Sequence, residues 1–216
     1  MEENTTQAMA GRTGPGRPRD PDLARQRREA ILRQAITHFA REGFPKADMG
    51  AIAEAAGCAK GTIYNYFKSK RELFRAAVDY VMLGLLAATH SSSATDPIER
   101  FGHAIQSFLA YFDAHPEYIE LLIQERAEFK DRETPTYLEY RKTHCEQARI
   151  AFRSLIDAGR FREVPLDRTF DILSNLLYGT IFNNYFAGRS TSLEQQAADI
   201  KDILLRGLLS PKAAAK

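Results

Sequence analysis

The chain has 216 residues, of which 44% are hydrophobic and 27% charged, with a formal net charge of +2. That composition is too apolar for a disordered chain and long enough for a full core. The longest apolar run, Tyr80 to Ala88, is interrupted by Gly84 and is far too short to span a bilayer, and the first ten residues lack a secretory start, so a cytoplasmic protein with no membrane partner is expected.

Charge is unevenly spread. Residues 1–85 hold 14 Lys and Arg against 10 Asp and Glu, while residues 86–216 hold 16 against 18. A basic first third fits a nucleic-acid-binding module, although charge alone favours an ordinary solvated surface. Cys58 and Cys145 have no Cys or His neighbour at metal-finger spacing, so neither a disulfide framework nor a bound metal is expected. Nucleotide-cradle and nucleophile-elbow motifs are missing from the sequence, which predicts no cofactor and no enzyme.

Helical punctuation follows in chain order. Residues 1–19 read as a flexible basic arm in which Gly16-Arg17-Pro18 resembles a minor-groove hook. Asp20-Pro21 opens a first helix carrying Ile31, Leu32, Ala35, Ile36 and Phe39 at helical spacing, with Gly43 as its stop. Asp48 caps a short second helix, Gly57 supplies a left-handed turn, and a third short helix starts near Lys60. These features make a helix-turn-helix whose second helix buries Ile63 and presents a polar, aromatic face. Ser69 and Glu72 form a capping box before the stripe from Leu73 to Leu86. Asp96-Pro97 opens the next helix, Pro116 and Pro135 mark first helical residues, and Gly159 marks a stop. Asp167 then caps a run from Arg168 to Ala187, and Ser192 with Gln195 boxes the last helix. No strand alternation competes, so the fold class is all-α with about nine helices.

The segment Ile52-Ala53-Glu54-Ala55-Ala56-Gly57, Cys58-Ala59, Lys60-Gly61-Thr62-Ile63-Tyr64-Asn65-Tyr66-Phe67, followed by Ser69-Lys70 and Leu73, resembles the DNA-binding domain of the TetR family of bacterial transcriptional regulators. Two departures stand out: Ala59 replaces a frequent serine cap, and Cys58 replaces an aliphatic residue. The resemblance implies an N-terminal three-helix helix-turn-helix domain, residues 20–70, joined to a larger helical ligand-binding and dimerisation domain, residues 71–216. It further implies a repressor released from a palindromic double-stranded DNA operator by a small-molecule effector, with a homodimer formed through the last two long helices. On the DNA side, Lys60, Thr62, Tyr64, Asn65, Tyr66 and Lys70 are the candidate contacts, with Arg17 from the arm.

The middle helices are rich in aromatics, most of which core packing explains. Phe108, Phe112, Tyr137, Tyr140, His144, Tyr178 and Phe182 are candidate contacts to an apolar or aromatic effector, with Asn183 and Asn184 as further polar candidates. The polar run Gln124 to Glu133 reads most simply as a solvated face with internal ion pairs, and a support beneath the DNA-binding domain is the sharper alternative. The interface stripe is read as Ala197, Ile200, Ile203, Leu204 and Gly207. Competing readings are a corepressor-dependent regulator, a redox sensor triggered at Cys58, a metal-dependent enzyme built on the five histidines, and a protein-interaction adaptor.

Overall fold

The computed structural model describes residues 20–131, 133–188 and 192–209, so Arg17 and the rest of the basic arm lie outside the described residues. Among them run ten α-helices: α1 Pro21–Glu42, α2 Met49–Ala55, α3 Lys60–Tyr66, α4 Lys70–Thr89, α5 Pro97–Ala114, α6 Pro116–Glu128, α7 Thr136–His144, α8 Glu146–Asp157, α9 Leu166–Ala187 and α10 Leu193–Leu208. The only extended pairing among the described residues is one isolated antiparallel bridge between Phe161 and Leu209.

Local capping sets most helix starts. Asp20 accepts from the Asp22 amide at 2.9 Å, with Pro21 as first residue of α1, and Gly43 ends the helix at φ 80°. At the start of α4 the box is reciprocal: Ser69 Oγ accepts from the Glu72 amide at 3.1 Å and Glu72 accepts from the Lys68 amide at 3.1 Å. Two starts differ from expectation. Pro135 is the cap residue of α7, and α9 opens at Leu166 behind Pro165, with Asp167 in its first turn bonded to Arg149. The expected count of about nine helices falls one short, because the run between Pro135 and Gly159 is broken at Cys145, which ends α7 and begins α8 with no side-chain cap. The break lets α7 lie against α4 while α8 lies against α9.

Two apolar clusters result. The larger joins α1 to α4 with α5 and α6 and takes in Ile181, Leu193 and Ala197; the smaller is built on Phe152, Leu155, Phe161, Phe170, Leu173 and Leu208. Helix α4 is the shared spine, burying Leu73, Phe74, Ala77, Val78, Val81 and Leu85 as it runs from the helix-turn-helix into the larger domain. Beside the smaller cluster, Asp96 caps α5 through the Ile98 amide at 3.0 Å and accepts both terminal nitrogens of Arg160, at 2.8 and 2.9 Å. The Arg160 bonds, then the Ile98 bond, hold the Asp96 carboxyl down to about 2. An aspartate depressed in the folded state stabilises fully above its unfolded value near 3.9 and loses that contribution as pH falls toward 2. Acid titration of stability by circular dichroism is therefore expected to show a loss between about pH 4 and pH 2 that Arg160→Met flattens; an unchanged profile in the variant would assign the acid step to other carboxylates.

Candidate DNA-binding face and ligand cavity

Helix α2 is capped by Asp48, which accepts from the Gly50 and Ala51 amides at 2.7 and 2.9 Å; the Ala51 bond, then the Gly50 bond, lowers its carboxyl pKa. Gly57 makes the turn at φ 63°, a backbone state that an L side chain resists. Helix α3 is anchored by Ile63, which is fully buried, and by Phe67 just beyond its end. That anchoring turns Lys60, Gly61, Tyr64 and Asn65 outward, all exposed, with Thr62 and Tyr66 half-buried. Tyr66 leans on Phe67 with ring centroids 6.4 Å apart. Ala59 offers α3 no side-chain cap, as its methyl dictates. Cys58 is half-buried against the larger core. Added at Gly61, a Cβ would meet nothing within 4 Å, so nothing in the described chain requires a glycine there.

Lys70 does more than stand free at a helix start. Its Nζ donates to the Pro45 carbonyl at 3.0 Å and lies 5.2 Å from the Phe44 ring centroid, tying the α1–α2 connection to α4.

The run from Gln124 is solvated only in part: Arg126, Ala127, Glu128, Lys130, Asp131 and Glu133 are exposed. Gln124 and Glu125 are buried, as is Phe129. The Gln124 amide is clamped to the end of α1: its Oε1 accepts from the Phe44 amide at 3.0 Å and its Nε2 donates to the Phe39 carbonyl at 2.9 Å. Phe129 packs its ring 5.0 Å from both Phe44 and Phe74, beneath the Arg71 guanidinium, which also pairs with Asp131. The support beneath the helix-turn-helix is therefore the arrangement found, because the partners that bury α6 come from α1 and α4.

A cavity of about 530 Å³ opens between α4, α5, α7, α8 and α9. Four of the expected effector residues line it: Phe108, Tyr140, His144 and Tyr178. The other three do not. Phe112 is sealed in the core behind Phe108, 5.3 Å between rings, while Tyr137 and Phe182 back Tyr178 at 4.7 and 6.4 Å. Asn183 and Asn184 line a separate groove on α9, where Asn184 exchanges two hydrogen bonds with Gln196, at 3.0 and 2.8 Å. Residues not foreseen from the sequence are Arg100, Arg141, His90 and Cys145, together with apolar side chains such as Phe101 and Phe152. The spacing Tyr137, Tyr140, Arg141 and His144, one face of α7, was the signal that could have found Arg141. Burial pushes the Tyr178 phenol well above its ordinary range and also raises the Cys145 thiol, so both are neutral, protonated groups.

Among the described residues no three His, Cys, Asp or Glu side chains converge as a metal site. No described helix is long and apolar enough to cross a membrane.

A small helix-turn-helix head with an outward second helix, carried on a larger helical body with its own apolar cavity, makes this a two-part helix-turn-helix protein. The family model described as bacterial regulatory proteins, tetR family, matches residues 31–77. The chain is 35% identical over 135 residues to the HTH-type transcriptional repressor SCO4008 of Streptomyces coelicolor, an alignment covering 62% of this chain and 66%, just under two thirds, of that protein. It is 25% identical over 201 residues to the HTH-type transcriptional repressor NicS of Pseudomonas putida, covering 84% and 92% of the two chains. Its fold is similar to that of the TetR family transcriptional regulator PfmR from Thermus thermophilus, with TM-score 0.66, 23% identity, and coverage of 82% and 97%. Residues 31–77 are thus similar to the DNA-binding domain of the tetR family of bacterial regulatory proteins, and the two relatives are named as transcriptional repressors.

Proposed function

We propose that this chain is a DNA-binding transcriptional repressor that grips a palindromic operator as a homodimer and lets go when a small apolar or aromatic molecule fills the cavity. The observation that carries the reading is the outward face of α3, where Lys60, Tyr64 and Asn65 stand around a glycine that the chain's own packing does not need. Lys60 and the tyrosine hydroxyl suit phosphate oxygens, and Asn65 and Thr62 suit base edges. Lys70 is shared between the Pro45 carbonyl and a phosphate, since one ammonium carries three protons.

A dimer must hold two recognition helices about 34–36 Å apart to meet successive half-sites. What supports a dimer is large apolar side chains left uncovered on α9 and α10: Ile172, Phe186 and Ile203 are 63%, 70% and 68% exposed. Of the expected stripe, Ala197 is buried and Ile200 and Leu204 are half-buried against the two intrachain clusters, while Ile203 and Gly207 are exposed. Phe186→Asp is expected to give a folded monomer in sedimentation velocity. A dimer that survives this change together with Ile172→Asp would move the interface elsewhere.

Effector filling of the cavity acts on α4, whose Met82, Leu85 and Leu86 line it while Leu73 and Phe74 hold α1. A hundredfold loss of operator affinity needs a coupling of only about 2.7 kcal/mol. The test is selection of duplexes from a random pool by the purified protein. Enrichment of a palindrome whose binding weakens with salt is expected; no enrichment above non-specific binding would sink the reading.

A further inference from the structure

We propose that the cavity takes an apolar molecule bearing one anionic group, received by Arg141 and Tyr178. The proposal rests on the reading of this cavity as the effector site and names the chemistry of what enters it. Its wall is largely apolar, yet the ionisable side chains that could carry charge there are Arg100, Arg141, His90 and His144, with no aspartate or glutamate among the lining residues. A cation entering this space would meet like charge and no acceptor carboxylate, while a neutral apolar molecule would leave buried donors unpaired.

Arg141 is the donor best placed to hold an anion. Its side chain is only 22% exposed, and its hydrogen-bond partner among the described residues is Asp171, through one nitrogen at 3.0 Å. A guanidinium has five N–H donors, so most of its capacity is left for the occupant. Asp171 is itself 58% exposed, and water screens that pair, so it does not cancel the charge on the cavity side. Tyr178 supplies the second donor. Its ring is fixed edge-on to Phe108 at 5.1 Å and against Tyr137, its hydroxyl has no hydrogen-bond partner among the described residues, and it feels the Arg141 charge. Arg100 is otherwise engaged: it is exposed, and its guanidinium closes the α4–α5 connection by donating to the Ala94 and Thr95 carbonyls at 3.4 and 3.2 Å. A guanidinium and a phenol facing an apolar space are the donor set for a carboxylate, sulfonate or similar head on an apolar body.

Two fluorescent probes with one skeleton separate the charge from the apolar contribution: 1-anilinonaphthalene-8-sulfonate and its uncharged parent N-phenyl-1-naphthylamine. The parent is the more hydrophobic, so apolar burial alone makes it bind tighter. The full chain is expected to bind the sulfonate at least about tenfold more tightly than the parent. Arg141→Met should erase that preference while leaving parent binding unchanged, and Tyr178→Phe should narrow it. Lys142→Met, an exposed cation on the same helical turn, should leave it intact. Parent binding equal to or tighter than the sulfonate in the unmodified chain, or an equal loss of both probes in Arg141→Met, would overturn the anionic head while keeping the cavity as a binding site. Binding of neither probe would overturn the cavity reading as well.

Discussion

Replacing Phe129 by alanine is expected to cost about 3–5 kcal/mol of folding stability, read as a lower denaturant midpoint at unchanged slope. The ring is buried where three elements meet. It touches Phe44 in the α1–α2 connection and Phe74 on α4, each at 5.0 Å, and carries the Arg71 guanidinium 4.7 Å from its centroid. Truncation removes the buried area, two aromatic contacts and a cation–π contact together, and the cavity left behind lies between secondary elements that cannot close over it. Gln124→Ala probes the same junction by a different route. The Phe39 carbonyl keeps the Gly43 amide at 2.9 Å, but the half-buried Phe44 amide loses its acceptor, a cost of about 1 kcal/mol, at the low end of the range for a buried donor. The two changes share Phe44, so the double variant should cost less than the sum. A loss under about 1 kcal/mol for Phe129→Ala would mean the junction relaxes freely, and α6 would then not hold the helix-turn-helix in place.

That junction also shows where the sequence was legible. Asp20-Pro21, Ser69 with Glu72, Asp96-Pro97 and Ser192 with Gln195 mark helix starts because each cap and its amide lie within three residues. The helix-turn-helix was readable for the same reason: Asp48, Gly57 and Ile63 act over one or two turns. Gln124 was not, since its partners lie 80 and 85 residues away, and a polar run carries no local sign that tertiary contacts bury it. The break at Cys145 is likewise set by which neighbour each half meets, α4 or α9, and no capping residue announces it. Aromatic content pointed to the cavity region but could not separate Phe108, on its wall, from Phe112, one turn on and sealed in the core. Helical spacing on α10 does not by itself separate an inward stripe from an intersubunit one, because the two have the same period.

Gly61→Ala is expected to stabilise the protein and at the same time weaken its operator binding by about tenfold or more, equivalent to ~1.4 kcal/mol. Gly61 is the second residue of α3, a helix with no side-chain cap, and glycine costs a helix up to about 1 kcal/mol relative to alanine. A methyl there meets nothing in the described chain, so the folded state accepts it and the unfolded state loses freedom. On the outer face the same methyl stands beside Lys60, where the proposed reading brings the DNA closest. Because no charge is removed, the affinity loss should be the same at low and high salt. Lys60→Ala should behave oppositely, lowering the dependence of log affinity on log salt by about 0.9 if it neutralises one phosphate. Thermal unfolding and competition binding on the enriched duplex measure both. A Gly61→Ala protein that binds that duplex as tightly as the unmodified chain would mean that this face of α3 is not approached closely, and the contact surface would have to be sought on another part of the head.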